Sequence, residues 1–228
     1  EVALALLQNV AYSSEGVASI LRNGGVPAVL AAMRAHAPTA AVQRVGLGVL
    51  WNLCDSDDHW AAFLLEGPSL VAVLLGTLQL HRSEPRIEES CIDMLWDFSS
   101  TGDGQAHILS AGGVPPILAA MRAAAVPDEG SPPDLDLQKK ALSMLWNLTI
   151  SAQGISTLVR HDGVAVVLLV MRAHREVHEV QQNALGVLRN ISDASEGQRG
   201  LLRARGLRLL LETLETHSKC DEILELCL

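Results

Sequence analysis

Asn9, Asn52, Asn147 and Asn190, with Asp97 among them, recur at intervals of 43, 45, 50 and 43 residues, each inside an apolar stretch. A carboxamide donates and accepts hydrogen bonds at once, so an amide repeated at regular spacing can serve N–H and C=O groups of a segment laid across it. Counting back in fours stays on one face of a helix. The rows ending on these positions are Arg44, Gly48, Asn52; Glu89, Asp93, Asp97; Lys139, Ser143, Asn147; and Gln182, Gly186, Asn190. The second row is wholly acidic, and Glu88 adds to its field. Like charges stacked this way cost a few tenths of a kcal/mol per pair, so stability alone does not select them. Two readings follow: the row receives a Lys or Arg from a partner, or Arg44 and Lys139 of the flanking rows neutralise it across neighbouring helices.

Other reactive patterns carry less. Asp55-Ser56-Asp57-Asp58-His59 reads as acidic residues leading into a helix, where they suit the N-cap and the dipole, and not as a metal site. Asn147-Leu148-Thr149 and Asn190-Ile191-Ser192 match the glycosylation sequon but fall at helix positions, which marks them as chance matches. Cys54, Cys91, Cys220 and Cys227 show neither CxxC nor zinc spacing and are expected to be reduced, buried thiols. No nucleophile, base and orienting group recur at catalytic spacing, and no phosphate-binding glycine loop is present in the sequence. Neither enzymatic activity, a metal nor a cofactor is expected.

The elements that position these residues follow from internal repetition. Met33-Arg34-Ala35-His36 returns as Met171-Arg172-Ala173-His174 and Met121-Arg122-Ala123-Ala124, with weaker copies at Leu78-Gln79-Leu80-His81 and Leu214-Glu215-Thr216-His217. A second phrase follows the first four copies: Leu50-Trp51-Asn52-Leu53, Leu95-Trp96-Asp97-Phe98, Leu145-Trp146-Asn147-Leu148 and Leu188-Arg189-Asn190-Ile191. The two phrases keep a 19-residue offset except in the third copy, where the string PDEGSPP between Val126 and Pro133 reads as a seven-residue surface-loop insertion. Asn23-Gly24-Gly25 ends a short helix begun near Glu15, Val26-Pro27 opens a second that runs to about His36, and a third runs from about Thr39 to Cys54. The same punctuation recurs at Ala111-Gly112-Gly113-Val114-Pro115, Asp162-Gly163-Val164 and Arg205-Gly206-Leu207. His36, His81, His174 and His217 end second helices, where a cation suits the dipole.

With 49% hydrophobic and only 3% aromatic residues in 228, the core is expected to be Leu, Val, Ala and Ile between helices. The net charge of −9 and pI near 5.3 argue against nucleic acid and anionic lipid as partners. Apolar runs such as Val164–Met171 fall far short of the roughly 18 to 20 residues that span a bilayer.

The three-helix unit with its glycine corner resembles the armadillo repeat over essentially the whole chain. The resemblance implies an all-α fold, a right-handed α-α superhelix with three helices per repeat. One domain over 1–228 is expected: a partial repeat 1–13 holding a third helix (about Val2 to Tyr12), repeats 14–56, 57–101, 102–151 (insertion near 125–133) and 152–194, and a partial repeat 195–228. In armadillo proteins the third helices line a concave groove and a recurrent Asn bonds the backbone of an extended peptide. The resemblance thus assigns partner binding to Asn9, Asn52, Asp97, Asn147 and Asn190, with Glu89, Asp93, Arg44, Lys139 and Gln182 beside them. In importin-type domains a Trp stands one turn before the Asn; here Ala5, Gly48, Asp93, Ser143 and Gly186 hold that place. Trp51, Trp96 and Trp146 instead precede the ladder position directly, about 100° round the helix, and are expected to pack at the edge of the inter-repeat core. Gly48 and Gly186 are expected to leave room beside the ladder. Arg172 and Arg175 are expected on the outer surface.

The expected function is a non-catalytic scaffold that binds a protein or peptide segment, one that can carry basic residues, along this groove. The alternative is a structural spacer or docking arm in a larger ciliary, cytoskeletal or kinase-linked multidomain protein. The chain reads as an internal part of a longer cytoplasmic protein, with nucleus and cilium as further compartments, and with repeats continuing at both ends.

Overall fold

The computed structural model describes residues 1–54, 63, 65–125 and 134–217. The Asp55–His59 string, the PDEGSPP insertion, Cys220, Cys227 and the end of the expected partial repeat 195–228 lie outside the described residues. The described residues are helical, with no strand among them, and form an α-solenoid of three-helix repeats. They fall into two compact units, Glu1–Gly113 and Val114–Leu228.

The first unit holds α1 (Val2–Val10), α2 (Ser14–Arg22), α3 (Gly25–Ala35), α4 (Ala40–Cys54), α5 (Gly67–Leu80), α6 (Pro85–Ser99) and α7 (Gly102–Ser110). The second holds α8 (Val114–Ala125), α9 (Leu135–Leu148), α10 (Ala152–Arg160), α11 (Gly163–Ala173), α12 (His178–Ser192), α13 (Ser195–Arg203) and α14 (Gly206–Thr216). Like stacks on like. The third helices α1, α4 and α6 pack in sequence in one unit and α9 against α12 in the other, while second helices pair as α3 with α5 and α8 with α11.

The corner between first and second helices is sharp, 77° between α2 and α3 and 79° between α10 and α11. Gly24 makes the first of these turns with φ +71°, a left-handed conformation that costs glycine nothing. Asp162 and Arg205 adopt the same conformation, φ 60° and 53°, despite their side chains. Each first helix also starts against the end of a third helix. Ser13, Thr101 and Ser151 cap α2, α7 and α10 by accepting from the N–H of Gly16, Gly104 and Gly154 at 3.0–3.1 Å, caps worth about 1 kcal/mol each. A side chain at those glycines would run into the carbonyls of Val10, Phe98 and Leu148. Ala194 begins α13 without such a cap.

Between the layers sits an almost wholly aliphatic core. Leu30, Met33, Leu50 and Leu74 in the first unit and Val167 and Leu145 in the second are fully buried, each contributing on the order of 2 kcal/mol. Phe63 and Phe98 are the aromatic exceptions among the described residues, Phe98 with its ring 6.2 Å from that of His107. Cys91 is buried and Cys54 half-buried, and both are free. Burial, aided by the charge of Asp97 for Cys54 and of Glu88 for Cys91, pushes both thiols far above the ordinary range, so neither is a ready nucleophile.

Candidate functional site

The third helices carry every residue of the expected groove. Asn9 is exposed near the end of α1, and Asn52, Asp97, Asn147 and Asn190 are half-buried on α4, α6, α9 and α12. The ladder amides reach the preceding third helix: Asn52 Nδ2 donates to the carbonyl of Gln8 at 3.5 Å, and Asn190 Nδ2 to that of Trp146 at 3.3 Å and to Thr149 Oγ1 at 3.2 Å. Their donor half thus ties consecutive repeats together. The amide oxygens of Asn52 and Asn190 have no donor among the described residues, so each retains an acceptor.

Space beside the ladder is filled from within, contrary to expectation. The face of Gly48 is covered by the side chain of Gln8, and that of Gly186 by the indole of Trp146, which a Cβ would meet at 2.5 Å. Glycine there admits a neighbour's side chain and leaves no free room. Trp146 is half-buried in this way, as expected of an indole at the inter-repeat edge. Trp51 and Trp96 differ: they are 46% and 37% exposed. For Trp51 the physical reason lies in register. Asp93 holds on α6 the place Gly186 holds on α12, and a charged side chain there denies an indole its bed.

The acidic row of α6 runs from exposed Glu89 to half-buried Asp93 and Asp97. Arg44 is directed to Glu84 at the start of the same helix, 3.1 Å away. Lys139 pairs with Glu179 of α12 at 2.8 Å, and this hydrogen bond raises its pKa. Both cations are thereby engaged at the N-terminal ends of third helices. Gln182 is half-buried on α12. A hollow of about 440 Å³ opens beside Asn190, lined by Thr149, Ile150, Ala152, Ile155, Asp193 and Ala194. Among the described residues no group of three His, Cys, Asp or Glu side chains is placed to hold a metal, and no single helix is long and apolar enough to cross a membrane.

One set of residues behind the site escaped the sequence reading. Gln43, Gln138 and Gln181 stand nine residues before Asn52, Asn147 and Asn190 and are completely buried. Gln43 Nε2 donates to the carbonyls of Met33 and His36 at 2.9 and 3.0 Å, and Gln181 Nε2 to those of Met171 and His174 at 3.0 and 2.9 Å. These bonds satisfy the open C-terminal ends of second helices. The next repeat completes the network, with Thr77 donating to Gln43 Oε1 at 2.9 Å and Thr213 to Gln181 Oε1 at 3.4 Å. The signal in the sequence was a polar residue at constant distance from the ladder, masked because Glu88 replaces it in one repeat.

Two of the histidines, His81 and His217, are stitches of the same seams. His81 donates from Nε2 to the Ala37 carbonyl at 2.7 Å and His217 to that of Arg175 at 2.9 Å. His174 is buried, and desolvation lowers its pKa, so a cationic role at its helix end does not hold there.

Comparison with known proteins adds to this geometry. Residues 2–227 match the family described as "Protein zer-1 homolog-like, C-terminal domain". A search of curated proteins found no match. Among solved structures, a chain from "A conserved phosphorylation switch controls the interaction between cadherin and beta-catenin in vitro and in vivo" superposes with a TM-score of 0.50 at 19% identity, over 99% of this chain and 51% of that one. The chain thus spans about half the length of that neighbour, and at this identity the likeness concerns the fold.

Proposed function

The chain belongs to the zer-1 homolog-like C-terminal domain family, and from that premise we propose that it is a non-catalytic protein-interaction scaffold. Its third helices hold a segment of a protein partner, and the acidic row of α6 takes up a Lys or Arg of that segment. The observation that carries this reading is the row itself: Glu89, Asp93 and Asp97 share one face, Arg44 is drawn away to Glu84, and the indole of exposed Trp51 offers an apolar or cation–π surface on the preceding third helix. The acceptor oxygens of Asn52 and Asn190 would take N–H groups of the partner backbone. A solved neighbour described by the interaction between cadherin and beta-catenin supports a protein as the kind of partner.

The test begins with crosslinking and mass spectrometry from native extract to identify a partner, followed by titration of that partner against Asp93→Lys and Asp97→Lys. Charge reversal is expected to weaken binding at least about tenfold, as is common for a charge facing its counter-charge at an interface. Unchanged affinity would sink the cation-binding role of the row. A second reading, the structural spacer, is favoured by the ladder amides that join repeat to repeat. Under it Asn52→Ala and Asn190→Ala lower stability and leave partner affinity untouched.

A further inference from the structure

A surface hollow of about 460 Å³ in the second unit is lined by Arg172, Arg175, Arg205, Arg208, Leu209 and Glu212. It lies between the end of one second helix, α11, and the start of the next, α14, away from the third helices and independent of the reading given for them. Four guanidinium groups face one carboxylate there, in a chain whose net charge is −9.

Comparison with the preceding seam shows what is unusual. Arg122 at the end of α8 meets Asp162 at the start of α11 at 3.5 Å, a cation answered by an anion. Arg172 occupies the place of Arg122 one repeat on, and Arg205 the place of Asp162. The anion has been exchanged for a second cation. Arg172 and Arg205 are exposed, and their guanidinium groups have no ion-pair or hydrogen-bond partner among the described residues. Arg208 and Arg175 are held from the other side by Glu212, at 2.8 and 3.5 Å.

Local energetics oppose this arrangement. Arg205 sits in the left-handed region at φ 53°, where glycine stands in two other repeats, and this costs a branched-out side chain about 1 kcal/mol. Arg205 and Arg208 flank the N-terminus of α14, the positive end of its dipole, which has neither a side-chain cap nor an acidic residue in its first turn. Cations at such an end are unfavourable until an anion arrives, and the open N–H groups and dipole then favour that anion as well. Glu212 already supplies the carboxylate, so the remaining excess suits a dianion with several acceptor oxygens, matched to guanidinium forks.

We propose that this hollow binds a phosphate monoester carried on a protein segment, a phosphoserine or phosphothreonine, with Arg172 and Arg205 as its direct ligands and Arg208 and Arg175 positioned by Glu212. The probe is a peptide pool with fixed phosphoserine and degenerate flanks, compared with pools carrying serine or glutamate at that place, on the 228-residue chain. The phosphoserine pool is expected to be retained at least about tenfold better than either, and Arg172→Gln and Arg205→Asp are each expected to remove the difference. Arg205→Asp recreates the Arg122–Asp162 pairing in a residue already tolerated at this turn, so its fold, checked by circular dichroism and melting, should be kept. Equal retention of the three pools, or retention unaltered by Arg205→Asp, overturns the proposal. Inorganic phosphate or inositol hexakisphosphate binding as tightly as the peptides would make this a free-anion site, and binding only to phosphatidylinositol-bisphosphate vesicles would make it a membrane contact; either result overturns the protein-borne ligand.

Discussion

Gln43 and Gln138 hold the same place in their repeats and are equally buried, but their surroundings differ, above all by one hydroxyl. Gln43 makes three hydrogen bonds, two to second-helix carbonyls and one from Thr77. Gln138 donates to the Met121 carbonyl at 2.7 Å, and its Oε1 is buried without a partner among the described residues. The residue that would answer it is Val170, four before His174, where Thr77 and Thr213 stand four before His81 and His217. A buried polar seam is therefore complete in one place and open in another, within the same repeat grammar. The lesson is that these repeats are stitched by side chains reaching from one to the next, and that a single branched residue decides whether the stitch closes.

The strongest way to break this comparison is to remove the amides. Gln43→Leu strands two carbonyls and the Thr77 hydroxyl and is expected to cost about 3 kcal/mol, whereas Gln138→Leu, losing one bond and relieving an orphan, is expected to cost roughly half of that. Urea denaturation with an unchanged m-value measures both; equal losses would show that Oε1 of Gln138 is satisfied after all. Next in size is Gly186→Ala, which must displace the Trp146 indole and is expected to cost about 2 kcal/mol. Its counterpart is Gly76→Ala in α5, where the added methyl meets open space and the helix gains roughly 0.5–1 kcal/mol. Tryptophan fluorescence should move for the first and not for the second.

Val170→Thr sharpens the comparison from the other side. Supplying the missing hydroxyl to Gln138 is expected to raise stability by about 1 kcal/mol, with the gain vanishing when Gln138→Leu is made in the same chain. The smallest effect concerns pH. His174 has a lowered pKa because it is desolvated, and its Nε2 has no partner among the described residues. Its folded form resists protonation while the unfolded chain binds a proton near pH 6.5, so stability is complete above that value and declines as the pH falls below it. His174→Gln should flatten that part of a pH–stability profile; an unchanged slope would place the titration elsewhere.

Much of the fold was legible because its causes are local. Asn23-Gly24-Gly25 before Val26-Pro27 marked the corner between α2 and α3, and Thr39 to Cys54 marked α4 to within a residue. Ser13 with Gly16 could have been read too, as a cap followed by a residue that must lack a side chain. The ladder positions were legible as a recurring phrase. Their bonding was not, because Asn52 and Gln8 are 44 residues apart, and only the packing of α1 on α4 brings the amide to that carbonyl.

What the sequence determined by itself was the periodic part: helices from apolar spacing, corners from glycine and proline, and one repeat after another from the returning phrases. Tertiary structure decided which neighbour each polar or bulky side chain meets. Gly186 became a bed for Trp146, Asp93 kept one from Trp51, Val170 left Gln138 half-satisfied, and Arg205 left Arg172 facing a like charge. The physical reason is that a helix is defined by bonds four residues long, whereas these contacts join positions some 30 to 50 residues apart. Stacking alone brings such positions within reach, and the chemistry of the residue that happens to stand opposite then sets the outcome.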